Sequence, residues 1–164
     1  MSEVVIGCAV EGDLDGIAAL QAENQADRGG SLAASLPRDK IAEMMGAMPL
    51  IVARREGRVT GFLVTGSRAM TIEVPVVRAM FSAYEGAPDA YVYGPICVAA
   101  EARGQGLAQA MFSALRHQLP AREGILFIRC DNIASLRAHE KMGMHEVAAF
   151  EFGGNEFAVL SYLG

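Results

Sequence analysis

Apolar residues fall in short runs along this chain, and the spacing within each run separates strands from helices. Val4 to Val10, "VVIGCAV", is an apolar run closed by the turn-forming "EGD", which predicts a buried first strand. From Asp13, read as an N-cap, Leu14, Ile17, Ala18 and Leu20 recur at helical spacing and predict a first helix. The polar, glycine-containing "ENQADRGGSLAASL" then predicts a mobile connection. Pro37 opens a second helix, "PRDKIAEMMGAM", whose Ile41, Met44, Met45 and Met48 make one apolar face. The run "PLIVARREGRVTGFLVTGSRA" reads as two antiparallel strands joined by a tight turn at "REGR".

Glu73 and Pro75 then start a helix that runs to Tyr84, and "EGAPD" breaks it. The second half alternates. Strand "YVYGPICV" (Tyr91 to Val98) precedes a helix from about Gly104 to Gln118, and strand "GILFIRC" (Gly124 to Cys130) precedes a helix from about Ala134 to Met142 with Gly143 as its C-cap. The chain closes with "HEVAAFEF", the turn "GGN" and "EFAVLSYL", a hairpin. Helices alternating with strands imply parallel neighbours, and hairpins imply antiparallel ones, so a mixed α/β sheet follows.

At 164 residues the chain is sized for one domain, residues 1–164, with a real core. No stretch approaches the roughly 20 apolar residues needed to cross a bilayer, which predicts a soluble protein without a membrane partner. The first residues, "MSEVVIGCAVEGD", carry no basic region of the signal-peptide kind, so a cytoplasmic location is expected. Cys8, Cys97 and Cys130 sit in separate apolar runs without metal-ligand spacing, so they are expected to be reduced core residues and no metal site is predicted. A formal net charge of −5, with scattered Lys and Arg, argues against a nucleic-acid partner.

One stretch needs more than a turn. "RGQGLA", Arg103 to Ala108, puts two glycines and an arginine where a strand passes into a helix. The first turn of a helix has unpaired N–H groups and the positive end of the macrodipole, and absent β-carbons let an anion approach. Arg103 would add a charge-assisted contact. The plain alternative is a tight turn with a solvated arginine. The dinucleotide fingerprint is excluded because the third glycine is missing, and a Walker A loop because its Lys-Ser/Thr ending is absent.

Together, "ICVAAEARGQGLAQAMF" and "CDNIASLRAHEKMGMHEV" resemble the GNAT superfamily of N-acetyltransferases. The family's loop pattern, Arg or Gln, two variable residues, Gly, one variable residue, Gly or Ala, is met by Arg103, Gly104, Gln105, Gly106, Leu107 and Ala108. Its later motif is met by Asn132, Ser135, His139, Glu140, Lys141 and Gly143, with Met144 where the family has Phe and His139 where many relatives have Tyr. The resemblance implies a GNAT-like mixed, mostly antiparallel twisted sheet of six to seven strands, with helices on both faces. It implies acetyl-CoA as cofactor. Backbone groups around Ile96, Cys97 and Val98 would pair with the pantetheine amides, N–H groups of Gln105 to Ala108 would hold the pyrophosphate, Asn132 would bond the pantetheine arm, and Ser135 would lie near the cofactor.

The implied reaction is transfer of acetyl to a primary amine by direct attack in a ternary complex. It needs a neutral amine, a stabilised oxyanion and a proton for the departing thiol. His139 is the candidate proton donor, against a reading in which it only packs or caps a helix turn. Glu73 and Tyr93 are the candidate bases, with a water chain as the alternative. Tyr84, Tyr91 and Tyr93 either line the acceptor site or pack in the core. The acceptor is a small-molecule amine or a protein amine, and a non-catalytic acyl-CoA-binding or sensing module is the alternative function. The final hairpin is a candidate edge for a homodimer, as in some relatives.

Overall fold

The computed structural model describes residues 3–24 and 36–164. Most of the connection expected in "ENQADRGGSLAASL" lies outside the described residues. Seven strands form one sheet: β1 (Val4–Cys8), β2 (Ile51–Arg55), β3 (Arg58–Ser67), β4 (Tyr91–Val98), β5 (Glu123–Arg129), β6 (His145–Phe152) and β7 (Asn155–Leu163). Their order is β1-β2-β3-β4-β5-β7-β6. Among the described residues, six helices accompany them: α1 (Leu14–Glu23), α2 (Arg38–Ala47), α3 (Arg68–Thr71), α4 (Pro75–Ala83), α5 (Leu107–Gln118) and α6 (Ile133–Lys141). This is the expected mixed, mostly antiparallel sheet, with β4 and β5 as a parallel pair.

By density of contacts the chain forms two compact units. The first comprises residues 1–65 and 94–118. Here "REGR" closes the β2–β3 hairpin through Glu56 and Gly57, both at positive φ (53° and 76°), the geometry of a two-residue turn that matches strand twist. α5 packs against β1 and β2 and buries Leu107, Met111, Phe112 and Leu115, one stripe at helical spacing. A β-carbon on Gly61 of β3 would stand 3.1 Å from Met111 Cε and 3.2 Å from the Cys97 carbonyl, so this glycine lets helix and strand close on each other.

Two expectations fail in this unit. β1 is an edge strand rather than a buried one, leaving Val5 57% exposed and Cys8 exposed, because an apolar run alone does not say how many neighbours a strand has. Asp13 makes no side-chain cap on α1. A 3-10 turn over Glu11–Asp13 precedes the helix, and the Asp13 carboxylate instead accepts from Val10 N–H (2.8 Å) and from Arg54 Nε (2.8 Å) and Nη2 of β2. The Arg54 bond is the main reason its pKa is lowered, against the cost of burial.

The second unit comprises residues 66–93 and 119–164. β5 pairs with β7 over its whole length, and β6 returns beside β7 through Gly153 and Gly154, both at positive φ. α4 begins with Pro75 at its first helical position, as the sequence predicts. It packs on β6, and Val77, Met80 and Phe81 join Ala90, Val92, Ile125 and Val159 in a buried cluster. The short α3, capped by the Ser67 hydroxyl accepting from Met70 N–H (3.2 Å), has no counterpart in the periodicity because four residues show no period.

Candidate active site

In the first unit, α5 starts at Leu107, three residues later than expected, because Gly104 and Gly106 both take positive φ (77° and 76°). The first i→i−4 bond of α5 runs from Ala110 N–H to the Gly106 carbonyl (3.0 Å), so the N–H groups of Leu107, Ala108 and Gln109 lie ahead of the helical ladder. Among the described residues, nothing beyond the chain neighbours stands within 4 Å of a β-carbon built on Gly104 or Gly106. Bare backbone, unpaired donors and the positive end of a helix thus meet in open space.

The Arg103 side chain has partners within the protein. Its Nη2 donates to Asn24 Oδ1 (2.6 Å) at the end of α1, and its Nε to the Val98 carbonyl (3.3 Å). Cys97, on β4, is buried, and burial pushes its thiol up to about 11, with Arg103 pulling the other way. It is therefore a packed thiol at neutral pH. Among the described residues, the ladder of β4 with β5 covers Tyr91–Gly124 and Val92–Ile125, so Ile96, Cys97 and Val98 lie beyond it.

The second unit holds the other motif. Asn132 caps α6, its Oδ1 accepting from Ser135 N–H (3.3 Å), which leaves Nδ2 as its donor. His139 is 5% exposed. Its Nδ1 lies 2.8 Å from the Ser135 carbonyl and 3.3 Å from Ser135 Oγ, and its Nε2 lies 3.1 Å from the Tyr93 hydroxyl. A carbonyl only accepts, so the proton sits on Nδ1 and Nε2 accepts from Tyr93. Burial lowers the His139 pKa, against a raising contribution from the Ser135 carbonyl, so the ring is neutral at neutral pH.

Tyr93, 4% exposed, stands edge-on to His139, with centroids 5.5 Å apart at 89°, and edge-on to Tyr162 at 5.9 Å. Tyr162 in turn shares a hydroxyl contact with Tyr91. Gly124 makes this cluster fit, since a β-carbon there would stand 2.3 Å from Tyr162 Cζ. Burial drives the Tyr93 hydroxyl far above its ordinary range, with Tyr91 adding to the effect. Tyr91 is a core residue, and Tyr84 donates to Glu123 (2.6 Å). Glu73 sits exposed in the turn between α3 and α4.

The sequence matches the Acetyltransferase (GNAT) family over residues 17–144, which includes both motifs. The chain belongs to the GNAT acetyltransferase family. No curated protein is significantly similar to it in sequence. Solved structures share the fold. The ribosomal-protein-S18-alanine N-acetyltransferase from Escherichia coli is 15% identical at a TM-score of 0.70, the match covering 98% of this chain and 94% of that one. The ribosomal-protein-alanine N-acetyltransferase from Brucella melitensis is 21% identical at 0.70, covering 98% and 99%. A candidate acetyltransferase from Salmonella typhimurium, solved with its cofactor acetyl-CoA, is 19% identical at 0.70, covering 99% and 94%.

GNAT enzymes transfer acetyl from acetyl-CoA to amine acceptors. The glycine-opened start of α5 fits the pyrophosphate of that cofactor, because its donors are backbone N–H groups and the side chains that would block an anion are missing. Reading the sequence missed Asn24, which holds Arg103, and Tyr162, which completes the aromatic cluster. Neither carries a motif, and each acts through a residue far away in the chain. None of the described helices is long and apolar enough to cross a membrane.

Proposed function

We propose that this protein is an acetyl-CoA-dependent N-acetyltransferase that acetylates a primary amine, of a small molecule or a protein, by direct attack in a ternary complex. The observation that carries this reading is the open start of α5, where Gly104 and Gly106 leave backbone donors unobstructed. Backbone N–H groups of Gln105 to Ala108 bind the pyrophosphate. Main-chain groups of Ile96, Cys97 and Val98 bind the pantetheine amides, and Asn132 Nδ2 and Ser135 bind along the same arm.

When bound, acetyl-CoA supplies an activated acetyl thioester whose thiol needs a proton on departure. Magnitudes decide which buried group carries it. An ordinary thiol titrates near 8.5, at least about 1.5 units below a tyrosine raised above 10, so protonation by Tyr93 alone runs uphill by about 2 kcal/mol or more. An imidazolium below 6.5 gives its proton up readily. His139 is neutral at rest, so Nε2 must first receive a proton, and the Tyr93 hydroxyl in contact with it is the relay from the amine. Glu73 is the second candidate for accepting the amine proton, from the solvent side.

The test is release of free thiol from acetyl-CoA in the presence of an amine panel: amino acids, polyamines, aminoglycosides and peptides with free N-termini or lysines. Since the Escherichia coli neighbour is named for an alanine of a ribosomal protein, N-terminal Ala peptides belong in the panel. Amine-dependent thiol release supports the enzyme. Binding of CoA by calorimetry with no thiol release for any amine would favour an acyl-CoA sensor, and absence of binding would remove both readings.

A further inference from the structure

Arg103 opens the loop motif, and its guanidinium is engaged by a buried carboxamide. Asn24, the residue that follows α1 at its C-cap, is 6% exposed and uses both ends of its side chain. Nδ2 donates to the Leu20 carbonyl (2.9 Å), one of the acceptors that a helix C-terminus leaves unpaired. Oδ1 accepts from Arg103 Nη2 at 2.6 Å, the short distance of a charge-assisted bond. The cation therefore lies at the negative end of α1, where the macrodipole favours it. Through Nε to the Val98 carbonyl, the same side chain ties the end of β4 to the end of α1.

We infer that Asn24 is a positioning residue for the acetyl-CoA loop, acting through Arg103. The next residue, Gly104, sits at φ 77° and, among the described residues, nothing beyond its chain neighbours stands within 4 Å of where its β-carbon would be, so the direction of the following N–H groups depends on how Arg103 is held. Arg103 thus works as a strut, and Asn24 is the socket that receives it. Two polar contacts on a side chain this buried are not explained by capping alone, since the Leu20 carbonyl needs only Nδ2.

The inference rests on the proposed use of the loop to bind CoA, and the test separates the two. CoA binding is measured by calorimetry, and the melting temperature is recorded, for the wild type, Asn24→Ala, Arg103→Ala, the double variant and Asn24→Asp. Asn24→Ala is expected to weaken CoA about tenfold, a coupling of about 1.4 kcal/mol. Asn24→Ala in the Arg103→Ala background is expected to add little. Asn24→Asp, which keeps an acceptor for Arg103 but loses the donor to Leu20, is expected to restore most of the affinity while its melting temperature stays below that of the wild type. If Asn24→Asp binds as poorly as Asn24→Ala, or if the two single effects add in full, Asn24 is only a helix cap and the inference is wrong. A wild type that does not bind CoA overturns the proposed function itself.

Discussion

The Tyr93 hydroxyl lies 3.1 Å from His139 Nε2, and the Ser135 carbonyl holds the opposite ring nitrogen at 2.8 Å. Both contacts favour one neutral tautomer, so this histidine is poised to accept a proton before it can donate one. His139→Ala and Tyr93→Phe are each expected to lower kcat on the order of a hundredfold, at the low end for a lost proton-transfer group, with acetyl-CoA affinity changed less than about twofold. Single-turnover assays with a competent amine check this. Full turnover in His139→Ala would leave the pair with a packing role alone.

Burial of the same ring predicts how stability depends on pH. The His139 pKa is lowered in the folded protein, so between that value and the unfolded value near 6.5 the unfolded chain binds more protons. The stability contribution is complete above about pH 6.5 and is lost as pH falls below it, by at most about 1.4 kcal/mol per pH unit. Urea unfolding between pH 7.5 and 5 is expected to show this slope in the wild type and a flatter one in His139→Gln. Equal slopes would mean that another group governs the acid side.

At the loop, fold and binding should separate cleanly. Among the described residues, alanine at Gly104 or Gly106 meets no atom beyond its chain neighbours, so its cost to folding is that of the left-handed backbone, about 1–2 kcal/mol. On the proposed use of this loop, the added methyl would crowd an approaching anion. Each variant is expected to stay folded, with a modestly lower melting temperature, and to bind CoA at least about tenfold more weakly. Wild-type affinity in both variants would place the pyrophosphate elsewhere.

The outcome at particular residues shows what periodicity and motif can carry. "REGR" and the "GG" of the last hairpin were legible because turn chemistry is local: two adjacent residues at positive φ suffice to define each. The loop motif was legible because a helix start and its glycines adjoin in sequence. Asp13 holds the expected N-cap position, but its side chain does not cap, because Arg54, 41 residues away, engages the carboxylate. Asn24, Tyr162 and Glu123 escaped notice for the same reason, each meeting its partner across long sequence separations. Asn132, read in the sequence for a cofactor contact, caps its own helix, a role the motif did not announce.

Glu123 shows how such a residue supports the second unit. Its carboxylate accepts from Tyr84 hydroxyl (2.6 Å), from Ala87 N–H (2.6 Å) and from Ser161 hydroxyl, fastening the segment between α4 and β4 to β5 and β7. Burial alone would raise its pKa, but the bonds from Ser161, Tyr84 and Ala87, with the nearby charge of Arg68, outweigh that and lower it. Glu123→Ala orphans three donors and is expected to cost roughly 2–4 kcal/mol, at about 1–3 kcal/mol for an unsatisfied buried group with partial rescue by water. Because the group is one network, Tyr84→Phe should cost about 1 kcal/mol in the wild type and close to nothing in Glu123→Ala. Denaturant unfolding of the four proteins gives the coupling directly, and full additivity would show that the carboxylate does not bind Tyr84 in solution. Gly86→Ala is expected to cost about 1–2 kcal/mol through its left-handed backbone at a φ of 70°, and denaturant unfolding checks it; the atoms its β-carbon would meet, Ile125 Cδ1 at 2.4 Å and Glu123 Oε1 at 2.8 Å, are ends of side chains that can shift.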